Sequence, residues 1–134
     1  MSAYENTQPP YSVGPGDPPA TLVAPADGTN PLGAGNFSER VAIQDVPGGF
    51  VRNVNVKFAY ASAPSSVEFD IYGSLVDTNP ASSPSDWFKI AASTNTAGDN
   101  QSIPRQGQGS FPFQFLCVKE VTSPGVKTTI TVQQ

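Results

Sequence analysis

Residues 53–60 read NVNVKFAY, and every second position from Val54 to Tyr60 is apolar. Successive side chains of a β-strand point to opposite faces, so a period of two separates an apolar face from a polar one. The apolar face carries Val54, Val56, Phe58 and Tyr60, and the polar face carries Asn53, Asn55 and Lys57. The pattern is typical of an antiparallel strand with one face in a core and the other in solvent.

Similar alternation recurs on both sides of this strand. The apolar sets are Val41 and Ile43; Val67, Phe69 and Ile71; Phe111, Phe113, Phe115 and Cys117; and Val126, Thr128, Ile130 and Val132. Turns rich in Pro and Gly separate these runs, and none has the period of a helix. We therefore predict an all-β fold, a single antiparallel β-sandwich of about six or seven strands. A jelly-roll-like sandwich is favoured, and an immunoglobulin-like arrangement stays open.

The first 35 residues differ in composition from the rest of the chain. They hold seven prolines and five glycines, and the first basic residue of the chain is Arg40. Proline favours extended segments with few internal hydrogen bonds, and so little apolar surface does not offset the entropy lost on ordering. We predict an extended Pro/Gly-rich N-terminal arm over residues 1–35, shaped by what it contacts, and a β-sandwich domain over residues 36–134.

Several residues of the arm are suited to contact with another protein. Tyrosine combines a large ring with a polar tip, proline keeps a segment extended, and the apolar island at residues 21–24 could add a strand to a sheet edge. The predicted partner-binding residues are Tyr4, Pro9, Pro10, Tyr11, Leu22 and Val23. On this hypothesis, a chain that lacks residues 1–35 keeps a folded sandwich and loses its binding partner.

Charge and hydrophobicity argue against several classes of protein. Charged residues make up 13% of the chain, and the net charge is −4. The seven basic residues are scattered, whereas nucleic acid binding needs clustered Lys and Arg. The sequence shows no basic segment followed by an apolar run, as in a secretory signal, and no apolar stretch near the ~20 residues that span a membrane. We expect no nucleic acid or membrane partner, and synthesis in a cytoplasm.

The usual catalytic groups are missing from the sequence. It contains no histidine and one cysteine, Cys117, so neither a serine triad nor a zinc site can be assembled from it. Cys117 lies in an apolar run, which favours a small core residue over a reactive thiol. We predict a protein that is not an enzyme and that has no cofactor, no metal and no catalytic residue.

Two other groups of side chains could carry chemistry. Glu68 and Asp70 share one face of a strand, and glycosidases use two carboxylates, but we interpret this pair as part of a solvent-facing surface. Tyr72 and Trp87 are candidate surface aromatic contacts on which a sugar ring could stack, although a core or interface role is favoured. Because Trp87 directly precedes Phe88, one of these two rings faces outward if the segment is a strand.

The second half of the sequence resembles small β-sandwich structural proteins of tailed bacteriophages. The resemblance rests on FDIYGS at residues 69–74, DWFKI at 86–90, FQFLCV at 113–118 and a Thr-rich last strand. The Pro/Gly-rich arm ahead of them is similar to the arms of capsid decoration (cement) proteins.

This resemblance implies a jelly-roll-like body, self-association into dimers or trimers, and the major capsid (shell) protein as partner. It implies a non-enzymatic structural protein that is made in the host cytoplasm, lies on the outer capsid surface of the virion and stabilises the capsid lattice by bridging shell subunits. The alternatives are a carbohydrate- or receptor-binding β-sandwich module and a structural component of a phage tail or baseplate.

Overall fold

The computed structural model of the protein describes residues 11–23, 32–45, 53–93, 100–103 and 111–134. Within these ranges the chain forms nine β-strands and one short 3-10 turn, Pro84–Asp86. The strands are β1 (Tyr11–Val13), β2 (Ala20–Val23), β3 (Val41–Ile43), β4 (Val54–Tyr60), β5 (Glu68–Ser74), β6 (Phe88–Ser93), β7 (Asn100–Ile103), β8 (Phe115–Thr122) and β9 (Thr128–Gln133). The predicted all-β fold is confirmed.

The strands form two sheets. One has five strands in the order β1-β3-β8-β5-β6, and the other has four in the order β2-β9-β4-β7. Neighbouring strands are antiparallel, except that β1 runs parallel to β3. Alternate side chains from both sheets meet in one apolar core, which is the arrangement of a sandwich.

The antiparallel pairs are nested along the chain. β2 pairs with β9, β3 with β8, β4 with β7, and β5 with β6, so that each pair encloses the next. Two further pairings, of β4 with β9 and of β5 with β8, join these units into the two sheets. Contacts between residues far apart in the sequence therefore hold the sandwich together.

Strand β4 shows how the sequence builds this core. Val56 and Phe58 are fully buried, whereas Asn55 and Lys57 on the opposite face are exposed. Phe58 stacks on Phe69 of the other sheet, with ring centroids 5.6 Å apart. Burying an apolar side chain of this size contributes roughly 1.5–3 kcal/mol. The alternation predicted for this stretch is confirmed, and it supplies one wall of the core.

Two strands of the sandwich come from the stretch assigned to the arm by its composition. β1 lies beside β3 and β2 lies beside β9, so each adds to one sheet. Val13 is 0% exposed, Leu22 is 8% exposed, and both belong to the core. A domain boundary at residue 35 therefore cuts through the observed sandwich, because alternate apolar residues give this Pro-rich stretch a buried face. Deleting residues 1–35 would remove an edge strand from each sheet, contrary to the expectation of an intact body.

A buried carboxylate fastens the chain ahead of β3 to β8. Glu120 is 0% exposed, and its Oε1 accepts a hydrogen bond from the Leu32 N–H at 3.3 Å. Its Oε2 accepts one from the Ser123 hydroxyl at 2.6 Å. The backbone of Glu120 also bonds to Gly35 and to Asn36. Both oxygens of this side chain thus accept hydrogen bonds, as buried polar groups require.

Leu22→Ala tests whether β2 is part of the core. The free energy of unfolding is expected to fall by about 2–5 kcal/mol, the usual loss for a buried leucine. Thr21→Ala, on the opposite face of β2, is the control and is expected to change it by less than about 1 kcal/mol. Urea denaturation followed by tryptophan fluorescence measures both variants. Small and equal effects would show that this stretch adds nothing to the core.

Candidate functional site

Among the described residues, three of the four well-exposed large apolar side chains lie at one end of the five-stranded sheet. Leu75, Val76 and Phe88 are 61%, 46% and 56% exposed. The first two directly follow β5, and Phe88 begins β6 opposite Gly73. Together with half-buried Phe113, which stacks on Phe88, they form what we call the apolar rim. Exposed apolar patches are a feature of protein contact sites in general, so the apolar rim is the candidate functional site.

A row of three aromatic rings connects the apolar rim to the core. Phe88 stacks on Phe113 with ring centroids 6.0 Å apart, and Phe113 meets fully buried Phe111 edge-on at 5.8 Å. Gly73 makes room for this row, since a Cβ at that position would lie 2.5 Å from the Phe113 ring. Phe88 is therefore held by its neighbours, and a partner that packs on it would order few additional side-chain rotamers.

Polar contacts fasten the loop between β5 and β6, which carries part of the apolar rim. The Trp87 indole N–H donates to the carbonyl oxygen of Thr78 at 3.3 Å, and the Thr78 hydroxyl donates to Asp86 at 3.0 Å. Arg40, which is buried, forms an ion pair with Asp77. The loop is thus tied both to itself and to Arg40, directly ahead of β3.

The structure shows which of the two adjacent rings at the start of β6 faces solvent. Trp87 is 5% exposed, whereas Phe88 is 56% exposed. The prediction of Trp87 as a surface contact is wrong, because the loop covers its ring and a carbonyl oxygen satisfies its N–H. The outward ring is Phe88.

Tyr72 packs within its own sheet. Its ring meets Phe37 edge-on at 5.3 Å, and the Lys119 ammonium lies 5.2 Å from the centre of the Phe37 ring. Burial raises the pKa of the Tyr72 hydroxyl. Tyr72 is half-buried, and it forms no joint aromatic platform with the buried Trp87. Of the two rings that the sequence left open for sugar stacking, only Tyr72 keeps part of its surface exposed.

Glu68 and Asp70 share one face of β5, as predicted, but only part of the pair faces solvent. Asp70 is 5% exposed, and the Lys89 ammonium lies 3.3 Å from its Oδ2. A side-chain hydrogen bond with Asp70, and then repulsion between the two charges, raises the pKa of Glu68 above its ordinary value of 4.5. Asp70 also raises the pKa of Lys89. Asp70 is thus buried between a cation and a second carboxyl group, so its interpretation as a solvent-facing residue is wrong.

Cys117 is a buried residue of β8, as its apolar surroundings predict. It is 0% exposed, and burial raises the pKa of its thiol well above the ordinary value. The described residues contain no group of three or more His, Cys, Asp and Glu side chains placed to hold a metal ion. In the same part of the chain, no helix has the length and hydrophobicity of a membrane crossing.

The predicted partner-binding residues of the arm lie partly inside and partly outside the described part of the chain. Three of them lie outside the described residues: Tyr4, Pro9 and Pro10. Tyr11 and Val23 lie in β1 and β2, and their backbones pair with β3 and β9. Leu22 is a core residue, so its assignment to a partner contact is wrong.

Sequence reasoning missed the apolar rim. The available signal was the pair Leu75 and Val76, two adjacent apolar residues where the alternation of β5 ends and a polar loop begins. Adjacent apolar residues point to opposite faces of an extended chain, so a core behind one sheet face does not bury both. Their exposure follows from this local pattern, whereas their proximity to Phe88 depends on the pairing of β5 with β6.

Three comparisons tested the relation of this chain to known proteins. It gave no significant match to protein-family models, to curated proteins or to solved structures. A proposal about its function therefore depends on the sandwich and the apolar rim themselves.

Cys117 is expected to be unreactive in the folded protein. Its thiol is buried and protonated, so reaction with the disulfide reagent DTNB should be slower than that of free cysteine by about a hundredfold or more. Val121→Cys provides the control, because it adds a thiol on the same strand at a position that is 39% exposed. The absorbance of the released thiolate measures both rates. Fast reaction of the unsubstituted chain would show that β8 opens readily under native conditions.

Glu68→Gln is expected to stabilise the protein at neutral pH. Because the folded state raises the pKa of Glu68, ionisation of this group lowers the free energy of unfolding. This loss of stability disappears as the pH falls below about 4.5, where the group is protonated in both states. The variant should therefore exceed the original chain in free energy of unfolding at neutral pH and match it in acid. Glu39→Gln removes a carboxylate outside this cluster and serves as the control. Urea denaturation at several pH values measures the free energy of unfolding of each protein. A difference between Glu68→Gln and the original chain that stays constant with pH would contradict the coupling to Asp70.

Proposed function

We propose that the chain is a jelly-roll-like structural protein of a phage-like particle. In this role it binds the outer surface of the capsid lattice and stabilises the lattice by bridging shell subunits. Its partner is the major shell protein, and its own copies associate into dimers or trimers. The proposal joins the resemblance of the second half of the sequence to phage structural proteins with two features of the structure, the order of the strands and the apolar rim.

The order of the strands supports the jelly-roll part of the proposal. If β1 is set aside, the remaining strands pair first with last, second with next to last, and so on inward to the hairpin of β5 and β6. This is the order obtained when one long hairpin is wrapped into a sandwich of two Greek keys. An immunoglobulin-like sandwich instead pairs its strands A with B and D with E, which are neighbours in sequence.

The observation that carries the proposed binding role is the apolar rim. Leu75 and Phe88 are more than half exposed, whereas Phe111, at the inner end of the row of three rings, is fully buried. Aromatic side chains in such positions often contribute most of the energy of a protein interface. Charged residues make up only 13% of the chain, so desolvation of charge opposes docking less than on an average surface.

Repetition on a lattice strengthens a contact of this size. A rim of four side chains is small beside a standard interface, so one copy alone is expected to bind weakly. Once one copy of an oligomer has docked, the next is held near its own site at high effective concentration. The proline-rich residues 1–10, with Tyr4 as their aromatic anchor, add a second contact in this proposal. Two weak contacts per copy suffice when neighbouring copies act together.

Phe88→Lys is expected to weaken binding to the particle by about tenfold or more, because it removes a stacked ring and places a charge in the rim. Val121→Lys is the matched control, since it alters the remaining exposed apolar side chain outside the rim. The measurement is co-sedimentation of purified protein with particles assembled from the shell protein of the same virus. Urea denaturation of both variants first checks that each is folded.

The same sedimentation experiment separates the alternatives. Binding to a head fraction supports the capsid role, whereas binding to isolated tails alone would favour a tail or baseplate component. Unchanged binding of Phe88→Lys would remove the apolar rim from the interface. No binding to any particle fraction would contradict the proposal as a whole.

A further inference from the structure

The outer face of the four-stranded sheet contains a shallow depression, on a different surface from the apolar rim. Its volume is about 470 Å³, which is within the range of small-molecule sites. The residues that line it are Pro19, Asn55, Lys57, Thr131 and Gln133. We call the last four the polar array.

Strand pairing places these four side chains in a regular arrangement. Asn55 of β4 is directly opposite Gln133 of β9, and Lys57 is directly opposite Thr131. Residues that are opposite each other have Cβ atoms about 5 Å apart, and residues two positions along a strand are about 7 Å apart. Val56 alternates with these residues and is buried in the core, so the array faces away from the core. Pairing of the two central strands thus fixes the backbone positions from which these four polar side chains project.

The chemistry of the polar array is suited to a sugar ring. The Asn55 and Gln133 amides and the Thr131 hydroxyl each donate and accept hydrogen bonds, which matches the two-way character of sugar hydroxyls. None of the four side chains is a carboxylate, and no carboxylate of the described part of the chain forms an ion pair with Lys57. Lys57 can therefore receive an anionic group, while Pro19 provides an apolar wall for the C–H groups of the ring.

We propose that the polar array binds a single acidic sugar unit of a polysaccharide, with Lys57 on its carboxylate and the opposed amides on its ring hydroxyls. The net charge of −4 disfavours a dense polyanion such as nucleic acid, whereas a carboxylate on one sugar ring needs only one cation. This site goes beyond the particle-binding role and lies on the other sheet. Either role can fail without the other.

Titration of the full chain labelled with nitrogen-15 tests this proposal. The acidic probes are trigalacturonic acid and sialyllactose, which represent uronic and sialic acids, and the neutral probes are maltotriose and lactose. Amide shifts at residues 55, 57, 131 and 133 are expected with at least one acidic probe, and much weaker ones with the neutral sugars. Lys57→Met should weaken acidic-sugar binding by about tenfold, the loss of one charge-assisted hydrogen bond. Lys127→Met, which removes an exposed lysine ahead of β9, should leave it unchanged.

Several results would contradict the proposed sugar-binding site. They are the absence of shifts with both acidic probes, shifts confined to other residues, and neutral sugars that bind as tightly as acidic ones. Equal weakening by the two lysine variants would show a general effect of charge instead of a contact at residue 57. The spectrum of each variant without sugar shows whether it is folded, so loss of binding can be assigned to the array.

Discussion

Strand β9 lies between β2 and β4, and the four-stranded sheet depends on these two pairings. Ile130 and Val132 on one face of β9 are fully buried, while Thr131 and Gln133 on the other face belong to the polar array. One strand therefore completes the core and presents the outer surface. Because β2 and β9 are separated by most of the chain, their pairing closes a long loop, and topologies of this kind fold slowly.

The period-two patterns in the sequence predict β4 and β9 well, but in β8, the longest strand, the core holds Leu116 and Val118 and not the predicted face with Phe115 and Cys117. The short strands are predicted poorly. Strand β4 has enough residues for its alternation to be unambiguous, and its two faces lie as predicted. Strand β1 has only three residues, between prolines, and too few side chains to show a period. Its place in the sandwich comes from backbone pairing with β3, which a local pattern does not encode. Composition is therefore a poor guide to the structure of residues 11–23, the part of this stretch that forms β1 and β2.

For the candidate surfaces too, the local sequence predicts some features, and others depend on contacts with distant parts of the chain. The sequence required one of Trp87 and Phe88 to face outward, but the choice depends on the loop that folds over the tryptophan. The polar face of β4 was visible in the sequence, whereas the wall that Pro19 adds to the depression comes from a distant part of the chain. Asp70 is buried on a face that alternation alone assigns to solvent, and the ammonium of Lys89 on the next strand lies 3.3 Å from its Oδ2.

The two sheets thus offer surfaces of opposite character, an apolar rim at the end of one and a polar array on the outside of the other. Gly73 and Phe88, paired across β5 and β6, are under unequal constraint. Any side chain at position 73 collides with the ring of Phe113, whatever the protein binds. In the proposed role, the residue at position 88 can vary with the identity of the partner. Among divergent descendants of this chain, glycine at 73 would record ancestry of the fold, and the residue at 88 would record the history of its associations.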